Sequence, residues 1–213
     1  MAAEFDYLRD PQAIYRASFA AIEAEADLAA LPPDMRPVAR RVIHACGMTD
    51  ITGDLCWSAD AVAAGSAALQ GGAPVICDTR MVAAGIMAAR LPAGNALLTA
   101  IDQDSADDIA TRDGTTKSAG GIAALADRLP GAVIVIGNAP TALFRVLELA
   151  GDPSRRPALV LGFPVGFIGA AQSKAALIGN TLGLPFIALK GRRGGSAMAA
   201  AALNALIVAE PQS

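Results

Sequence analysis

Histidine is nearly absent from this sequence, which has a single one, His44, among 213 residues. One imidazole argues against a conventional cluster of metal-binding histidines. The three cysteines, Cys46, Cys56 and Cys77, do not form a Cys-x-x-Cys pair, which argues against a disulfide framework and against a thiolate zinc site. The cysteine content therefore favours a protein of the reducing cytoplasm.

Charged residues are also scarce, at 17% of the sequence with a formal net charge of −3. This leaves no basic field of the kind that attracts nucleic acid or an anionic membrane surface. The longest apolar runs, residues 158–171 and 196–209, are shorter than the roughly 20 residues that a membrane-spanning helix needs. The first residues, MAAEFDYLRD, are acidic and lack the features of a secretory signal. We expect no nucleic acid and no membrane among its partners.

Apolar residues, in contrast, make up 54% of the sequence, enough for a sizeable core. Short apolar runs alternate with longer helix-compatible segments, which is typical of a parallel sheet with crossover helices on both faces. We therefore predict an α/β fold with three layers and a mainly parallel sheet, in a single domain spanning residues 1–213. The predicted strands are residues 73–77, 96–101, 132–136, 158–161 and 185–189.

Two helices are predicted before the first of these strands. Asp10 followed by proline signals the start of the first, which continues to about Glu25. The second runs from about Asp34 to Cys46. It places Arg41 and His44 one turn apart on a shared face.

Glycine-bearing segments follow three of the predicted strands, at residues 137–141, 162–169 and 191–196. Ligands of open parallel sheets gather at the carboxyl ends of the strands. Glycine at a helix entrance admits a ligand close to the backbone, and the free N–H groups of the first turn attract anions. A sharp turn alone explains any one of these segments, but three at one edge favour a ligand site. None contains a GxxxxGK[ST] or GxGxxG motif, so nucleotide binding is not indicated.

His44 is the natural candidate for an acid or base, because histidine is the side chain that exchanges protons near neutral pH. Taken alone, a histidine beside Ile43 and Cys46 is more commonly a hydrogen-bonded packing residue. Basic residues in or after the loops could pair with ligand carboxylates, or be solvated charges at helix ends. Hydrolysis by a Ser-His-Asp triad is a third hypothesis, and the absence of a GxSxG elbow argues against it.

The ordered motifs of the chain resemble those of the precorrin-8X methylmutases, or precorrin isomerases, of cobalamin and porphyrin-type tetrapyrrole biosynthesis. Each motif is weak alone, and their order over nearly the whole length is specific. They are IYRASF at 14–19 with EAEADL at 23–28, VIHACG at 42–47, GAP at 72–74 with CD at 77–78 and MV at 81–82, RLPAGN at 90–95, GNAPTAL at 137–143, PVGFIGAA at 164–171, and GR at 191–192 with GGSAM at 194–198.

The resemblance implies an isomerase without cofactor or metal, which moves a methyl group around ring C of precorrin-8X to give hydrogenobyrinic acid. It assigns the acid that protonates the macrocycle to His44, places Tyr15 and Ser18 toward the substrate, and puts Arg41 beside the histidine. It also implies a homodimer and a possible hand-over of product to neighbouring pathway enzymes. The other expected substrate contacts, drawn from the glycine loops, basic residues and apolar side chains, are Met81, Lys117, Gly137, Asn138, Thr141, Gly166, Ser173, Lys174, Arg192 and Gly195.

Two positions depart from the pattern of the family. Lys117, in the stretch GTTKS, stands where the family has arginine, so the charge remains but the bidentate fork is lost. Gln172 stands where the family often has glutamate, which argues against an essential acid there. The main alternative function is a non-catalytic tetrapyrrole-binding or carrier protein, which would share the ligand but not convert it.

Overall fold

The computed structural model describes residues 5–207 of the chain. Their strands form one six-stranded sheet in the order β1-β6-β5-β4-β2-β3. All neighbouring pairs are parallel except β1 with β6, which is antiparallel at the edge of the sheet. The strands are β1 (Leu55–Trp57), β2 (Val75–Cys77), β3 (Leu97–Thr99), β4 (Val133–Ile136), β5 (Leu159–Gly162) and β6 (Phe186–Leu189).

Helices cover both faces of this sheet, which confirms the predicted three-layer α/β fold. Val133 and Val135 of β4 belong to one apolar cluster, and Ile134 and Ile136 to a second, because successive side chains of a strand point to opposite faces. The helices are α1 (Pro11–Glu25), α2 (Arg36–Cys46), α3 (Ala61–Gln70), α4 (Arg80–Gly85), α5 (Ala106–Asp113), α6 (Lys117–Ala124), α7 (Pro140–Ala150), α8 (Ala170–Ile178) and α9 (Ser196–Ile207).

The two N-terminal helices lie close to their predicted positions. The Asp10 side chain accepts a hydrogen bond from the Ala13 N–H, so α1 begins as its sequence indicates. The helix α2 begins at Arg36 rather than near Asp34, because the preceding residues form a turn that brings Met35 into the core with no exposed surface. It ends at Gly47, whose φ of 70° requires the left-handed conformation that glycine adopts easily.

The strand β1 was not predicted from the sequence. Three residues are too few to show a periodic pattern, and only the pairing of Leu55 with Leu189 reveals the strand. Because β1 is antiparallel to β6, the segment just before it lies at the carboxyl end of the parallel strands. Over residues 5–207, no helix combines the length and apolarity needed to cross a bilayer.

Candidate active site

His44 lies in the last turn of α2, with its imidazole exposed rather than sealed in the core. Its neighbour Ile43 is buried and anchors the helix. The Oγ atom of Ser18, on α1, is 2.8 Å from Nδ1 of His44. Among residues 5–207, Nε2 has no hydrogen-bond partner. One ring nitrogen is thus oriented by the protein, while the other is open to a ligand.

Two aromatic rings of α1 stand beside the imidazole. The centroid of the Phe19 ring is 5.2 Å from that of His44, and the Tyr15 ring is 6.2 Å away in an edge-on arrangement. Tyr15 also stacks on Phe19 at 4.4 Å and keeps 40% of its surface exposed. Residues 15, 18 and 19 share a face of α1 because they are three or four positions apart. Of these three residues, Ser18 lines an open cleft of about 180 Å³ between α1 and the end of α2, which His44 also borders.

Arg41 lies one turn before His44 on α2, as the sequence predicts. Its Nε atom is buried and, among the residues that the structure describes, has no hydrogen-bond partner. This buried donor is unused, but a ligand cannot reach it without a change in the surrounding structure. The structure thus brings Tyr15, Ser18 and His44 together at the junction of α1 and α2, with Arg41 one turn before His44 on the same helix.

The three glycine-bearing loops form a second part of the candidate site. They follow β4, β5 and β6, which are neighbours in the sheet and about 4.8 Å apart. The Gly195 N–H donates to the Phe163 carbonyl at 2.8 Å, and the Gly166 N–H donates to that of Arg192 at 3.2 Å. A Cβ atom on Gly137 would lie 2.8 Å from the Cα atom of Ser196, so only glycine fits there. The loops thus make one continuous edge.

Asp78 is a residue of this edge that sequence reasoning missed. It follows β2, is completely buried, and its carboxylate accepts hydrogen bonds from the N–H groups of Gly137, Asn138 and Ala139 at 3.1, 2.8 and 2.7 Å. Burial raises the pKa of Asp78, and these N–H donors oppose that shift. The backbone amides expected to hold a ligand carboxylate after β4 are therefore occupied by an internal one, and the exposed Asn138 side chain is what this loop offers.

Apolar side chains stand out from the same edge. Phe167 is 82% exposed, and the guanidinium carbon of Arg192 lies 5.1 Å from the centre of its ring. Met81, in the first turn of α4, is 62% exposed. Phe163, in contrast, has no exposed surface and belongs to the core. A flat apolar ligand with an anionic fringe would meet the Phe167 ring and the positive charge of Arg192 here.

Lys117 and Thr141 lie at the starts of α6 and α7, on the other face of the sheet from α2. The Lys117 ammonium forms an exposed ion pair with Asp107, and the Thr141 hydroxyl is 2.7 Å from that of Thr116. Thr141 lines an open groove of about 450 Å³ between α5, α6 and α7, together with Arg145, whereas Lys117 is not part of its lining. An exposed ion pair costs little to exchange for a ligand carboxylate.

Ser173 and Lys174 differ from the expectation of direct substrate contact. Both have no exposed surface: the Ser173 hydroxyl donates to the Ala170 carbonyl within α8, and the Lys174 ammonium donates to the Arg193 carbonyl. These side chains point into the protein because α8 packs one face against the sheet and the 191–196 loop. In this structure they stabilise the α8 helix and the 191–196 loop from inside the protein.

Burial lowers the pKa of Lys174 to about 8, with the nearby charge of Asp54 opposing the shift. Between that pH and the ordinary value of 10.5, the unfolded chain binds more protons than the folded one, so stability rises with pH across this window. We expect a gain on the order of 3 kcal/mol in unfolding free energy relative to Lys174→Met. Urea unfolding of both proteins from pH 7 to 10 measures it, and identical pH profiles would contradict the assignment.

A sequence profile described as precorrin-8X methylmutase (CbiC) matches residues 13–209 of the chain. The chain belongs to this family. The Precorrin-8X methylmutase of Pseudomonas aeruginosa is 54% identical over 94% of the chain and 97% of the relative. The Cobalt-precorrin-8 methylmutase of Priestia megaterium is 34% identical over 93% and 88%, respectively.

The fold of the precorrin-8X methylmutase family is also evident in solved structures. A crystal structure of precorrin-8X methylmutase from Thermus thermophilus superimposes with a TM-score of 0.81, covering 92% of the chain and 96% of that protein at 36% identity. Fold and sequence therefore agree on the precorrin-8X methylmutase family along nearly the entire chain, and the matched residues 13–209 contain His44 and the three glycine loops.

Proposed function

We propose that the protein is a precorrin-8X methylmutase of cobalamin biosynthesis, an isomerase that moves a methyl group between ring carbons of precorrin-8X to give hydrogenobyrinic acid. The observation that carries the proposal is the exposed His44 imidazole with Nδ1 held 2.8 Å from the Ser18 hydroxyl, in a chain of this family. We propose the whole chain, residues 1–213, as one domain with this activity.

The imidazolium form of His44 acts as the acid. Both ring nitrogens then carry protons, so Nδ1–H donates to Ser18 and Nε2–H faces the macrocycle. Transfer of the Nε2 proton to a ring nitrogen draws electrons toward that nitrogen, which favours migration of the methyl group within the conjugated ring. One carbon–carbon bond breaks and one forms on the same molecule, and the proton returns to His44. General acid catalysis contributes about 10²- to 10⁴-fold, and positioning of the ring supplies much of the remainder.

Binding of the macrocycle combines an apolar surface with scattered donors. Tyr15, Met81 and Phe167 present exposed apolar surface. The side chains of Asn138 and Thr141 and the backbone of Gly166 and Gly195 line the loop edge, while Arg41, Lys117 and Arg192 supply positive charge for the carboxylates. Positive charges that meet carboxylates fix the orientation of the ring more than they add affinity. Ser173 and Lys174 have no exposed surface, so they act indirectly, by stabilising α8 and the 191–196 loop.

The metal-free macrocycle is the substrate that we propose. The relative that is 54% identical is named for precorrin-8X, and the relative that is 34% identical is named for cobalt-precorrin-8. Comparing the conversion of the two substrates tests this choice. A higher rate with the cobalt-containing substrate would contradict it.

The decisive experiment is the conversion itself. Purified protein mixed with precorrin-8X is expected to produce the absorbance spectrum of hydrogenobyrinic acid, at many product molecules per protein. A carrier would bind the tetrapyrrole and shift its spectrum with no change in the extracted compound. Chromatography of the extracted pigment separates the two cases, and recovery of unchanged precorrin-8X would overturn the proposal.

A homodimer that encloses the macrocycle is part of the proposal. The cleft beside His44 measures only about 180 Å³, below the size of ordinary ligand pockets. Exposed apolar residues such as Phe167 and Ile168, at 82% and 89%, suit coverage by a second subunit. Light scattering is expected to give twice the mass of the chain, and a strict monomer would exclude a shared site.

We also propose a cytoplasmic location for the protein and hand-over of the product to neighbouring enzymes of the pathway.

Lys117→Ala is expected to weaken binding rather than slow the chemistry. Loss of the ammonium removes one carboxylate contact, so the dissociation constant of hydrogenobyrinic acid should rise by about tenfold. The rate of conversion of bound precorrin-8X should change by less than about threefold. Absorbance titration and single-turnover kinetics measure the two quantities. Arg112→Ala, which removes another exposed cation five residues before Lys117 in the sequence, is the matched control. Unchanged affinity in Lys117→Ala would count against the contact.

A further inference from the structure

A network of charged groups connects the 191–196 loop to the segment that follows the His44 helix. The guanidinium of Arg193 divides between two carboxylates, with Nη1 2.7 Å from Asp50 and Nη2 2.7 Å from Asp54. The carbonyl of the same arginine accepts a hydrogen bond from the buried ammonium of Lys174. Arg193 is thus held at both its backbone and its side chain.

This network spans three elements of the candidate site. Asp50 and Asp54 belong to the short 3₁₀ helix Thr49–Asp54, which begins two residues after Gly47, the residue that ends α2. Lys174 lies on α8, which follows the loop after β5. The Lys190 N–H also donates to the Asp54 carbonyl at 2.9 Å. The segment that carries His44 is therefore fastened to the glycine loops by side-chain and backbone bonds.

The arrangement is poorly suited to stabilising the fold alone. Arg193 is about one-third exposed and Asp50 is 69% exposed, and ion pairs of this kind contribute little to stability. Burying the Lys174 ammonium costs free energy, because the ion loses water. A bidentate guanidinium fixes direction better than a lysine does. Such a network is better suited to fixing the position of the 191–196 loop relative to the Thr49–Asp54 segment and α8.

We propose that Arg193 and Lys174 are positioning residues, whose ion pairs and hydrogen bonds hold the 191–196 loop at a fixed distance from His44. This rests on the proposed function, since the geometry they maintain is that between the acid and the bound macrocycle. Displacement of a catalytic group by about 1 Å costs roughly 100-fold in rate. The loss therefore falls on the conversion step and not on binding.

The test compares Arg193→Met with Arg193→Lys, which restores one of the two ion pairs. Arg155→Met is the matched control, because Arg155 also pairs with an aspartate. It lies just before β5, at the amino ends of the parallel strands and thus opposite the glycine loops. Three quantities are measured for each variant: the thermal midpoint, the dissociation constant of hydrogenobyrinic acid, and the single-turnover rate with precorrin-8X at saturating protein.

We expect Arg193→Met to convert bound precorrin-8X roughly 10- to 100-fold more slowly. Its affinity for the product should change less than threefold, and Arg193→Lys should recover part of the rate. An unchanged rate, or an affinity loss with a normal bound-state rate, would overturn the proposal, the second by showing a direct ligand contact.

A second variant tests the network independently, in case Arg193→Met does not fold. Asp50→Asn weakens the same network at an exposed side chain and should also slow the bound-state rate. Normal turnover in folded Asp50→Asn, combined with a rate loss in Arg193→Met that only follows its unfolding, would overturn the positioning role. Failure of the wild-type protein to convert precorrin-8X would instead refute the proposed function itself, before any variant is compared.

Discussion

Replacing His44 by asparagine is expected to slow the conversion of precorrin-8X by about 10²- to 10⁴-fold, the range of general acid catalysis. The asparagine amide can retain a hydrogen bond with Ser18, which in the wild type lies 2.8 Å from Nδ1, but it cannot deliver a proton. The exposed position of His44 means that the free energy of unfolding should change by less than about 1 kcal/mol. Product affinity, measured by absorbance titration, should remain within a few-fold of the wild type.

Two companion variants sharpen this result. His44→Gln places an amide nearer to the position of Nε2 and should be equally slow. Ser18→Ala keeps the imidazole but removes the group that orients it, so an intermediate loss of about tenfold is expected. Full turnover in His44→Asn would show that this side chain is not the acid.

The largest loss of stability is expected from Asp78→Ala. Asp78 is completely buried, and its carboxylate accepts hydrogen bonds from three successive N–H groups, those of Gly137, Asn138 and Ala139. Without it, these donors have no partner in the interior, which costs about 3–5 kcal/mol in total. For a chain of this size the melting temperature should fall by roughly 10 °C. Thermal and urea unfolding measure both changes.

Asp78→Asn and Asp127→Ala provide the comparison for that result. Asparagine keeps the volume and one acceptor oxygen but turns an NH₂ group toward the loop, so its loss should be intermediate. Asp127 is exposed, and its replacement should change stability by less than about 0.5 kcal/mol. Equal stability of Asp78→Ala and Asp127→Ala would show that the Gly137–Ala139 amides do not depend on the buried carboxylate.

The helices and central strands could be predicted because their patterns are local. The run from Val133 to Ile136 is apolar throughout, as a strand covered on both faces must be, and Asp10 with Pro11 marks the start of α1. The strand β1 escaped prediction because its three residues acquire their conformation by pairing with β6. The start of α2 moved by two residues because the burial of Met35 outweighed local preference.

The candidate site could be predicted in part. The spacing on α2 places Arg41 beside His44, and the glycines mark the strand ends that meet at one edge. Contacts between distant segments, such as Asp78 with the loop after β4, depend on the strand order, which sequence spacing does not reveal. An aspartate directly after an apolar strand was the available signal. The inward orientation of Ser173 and Lys174 was not predicted, because the apolar pattern of α8 did not show which side of the helix packs against the protein.

The most direct test of the central claim uses the single imidazole of the chain. Its ring signals are the only histidine signals in a nuclear magnetic resonance spectrum of the protein, so their assignment is immediate. Titration with hydrogenobyrinic acid to one equivalent is expected to shift these signals strongly, because the bound macrocycle contacts the imidazole and changes the hydrogen bonding and the electronic surroundings of its protons. Histidine signals that stay unchanged while the absorbance of the pigment reports binding would place the macrocycle elsewhere and contradict the account.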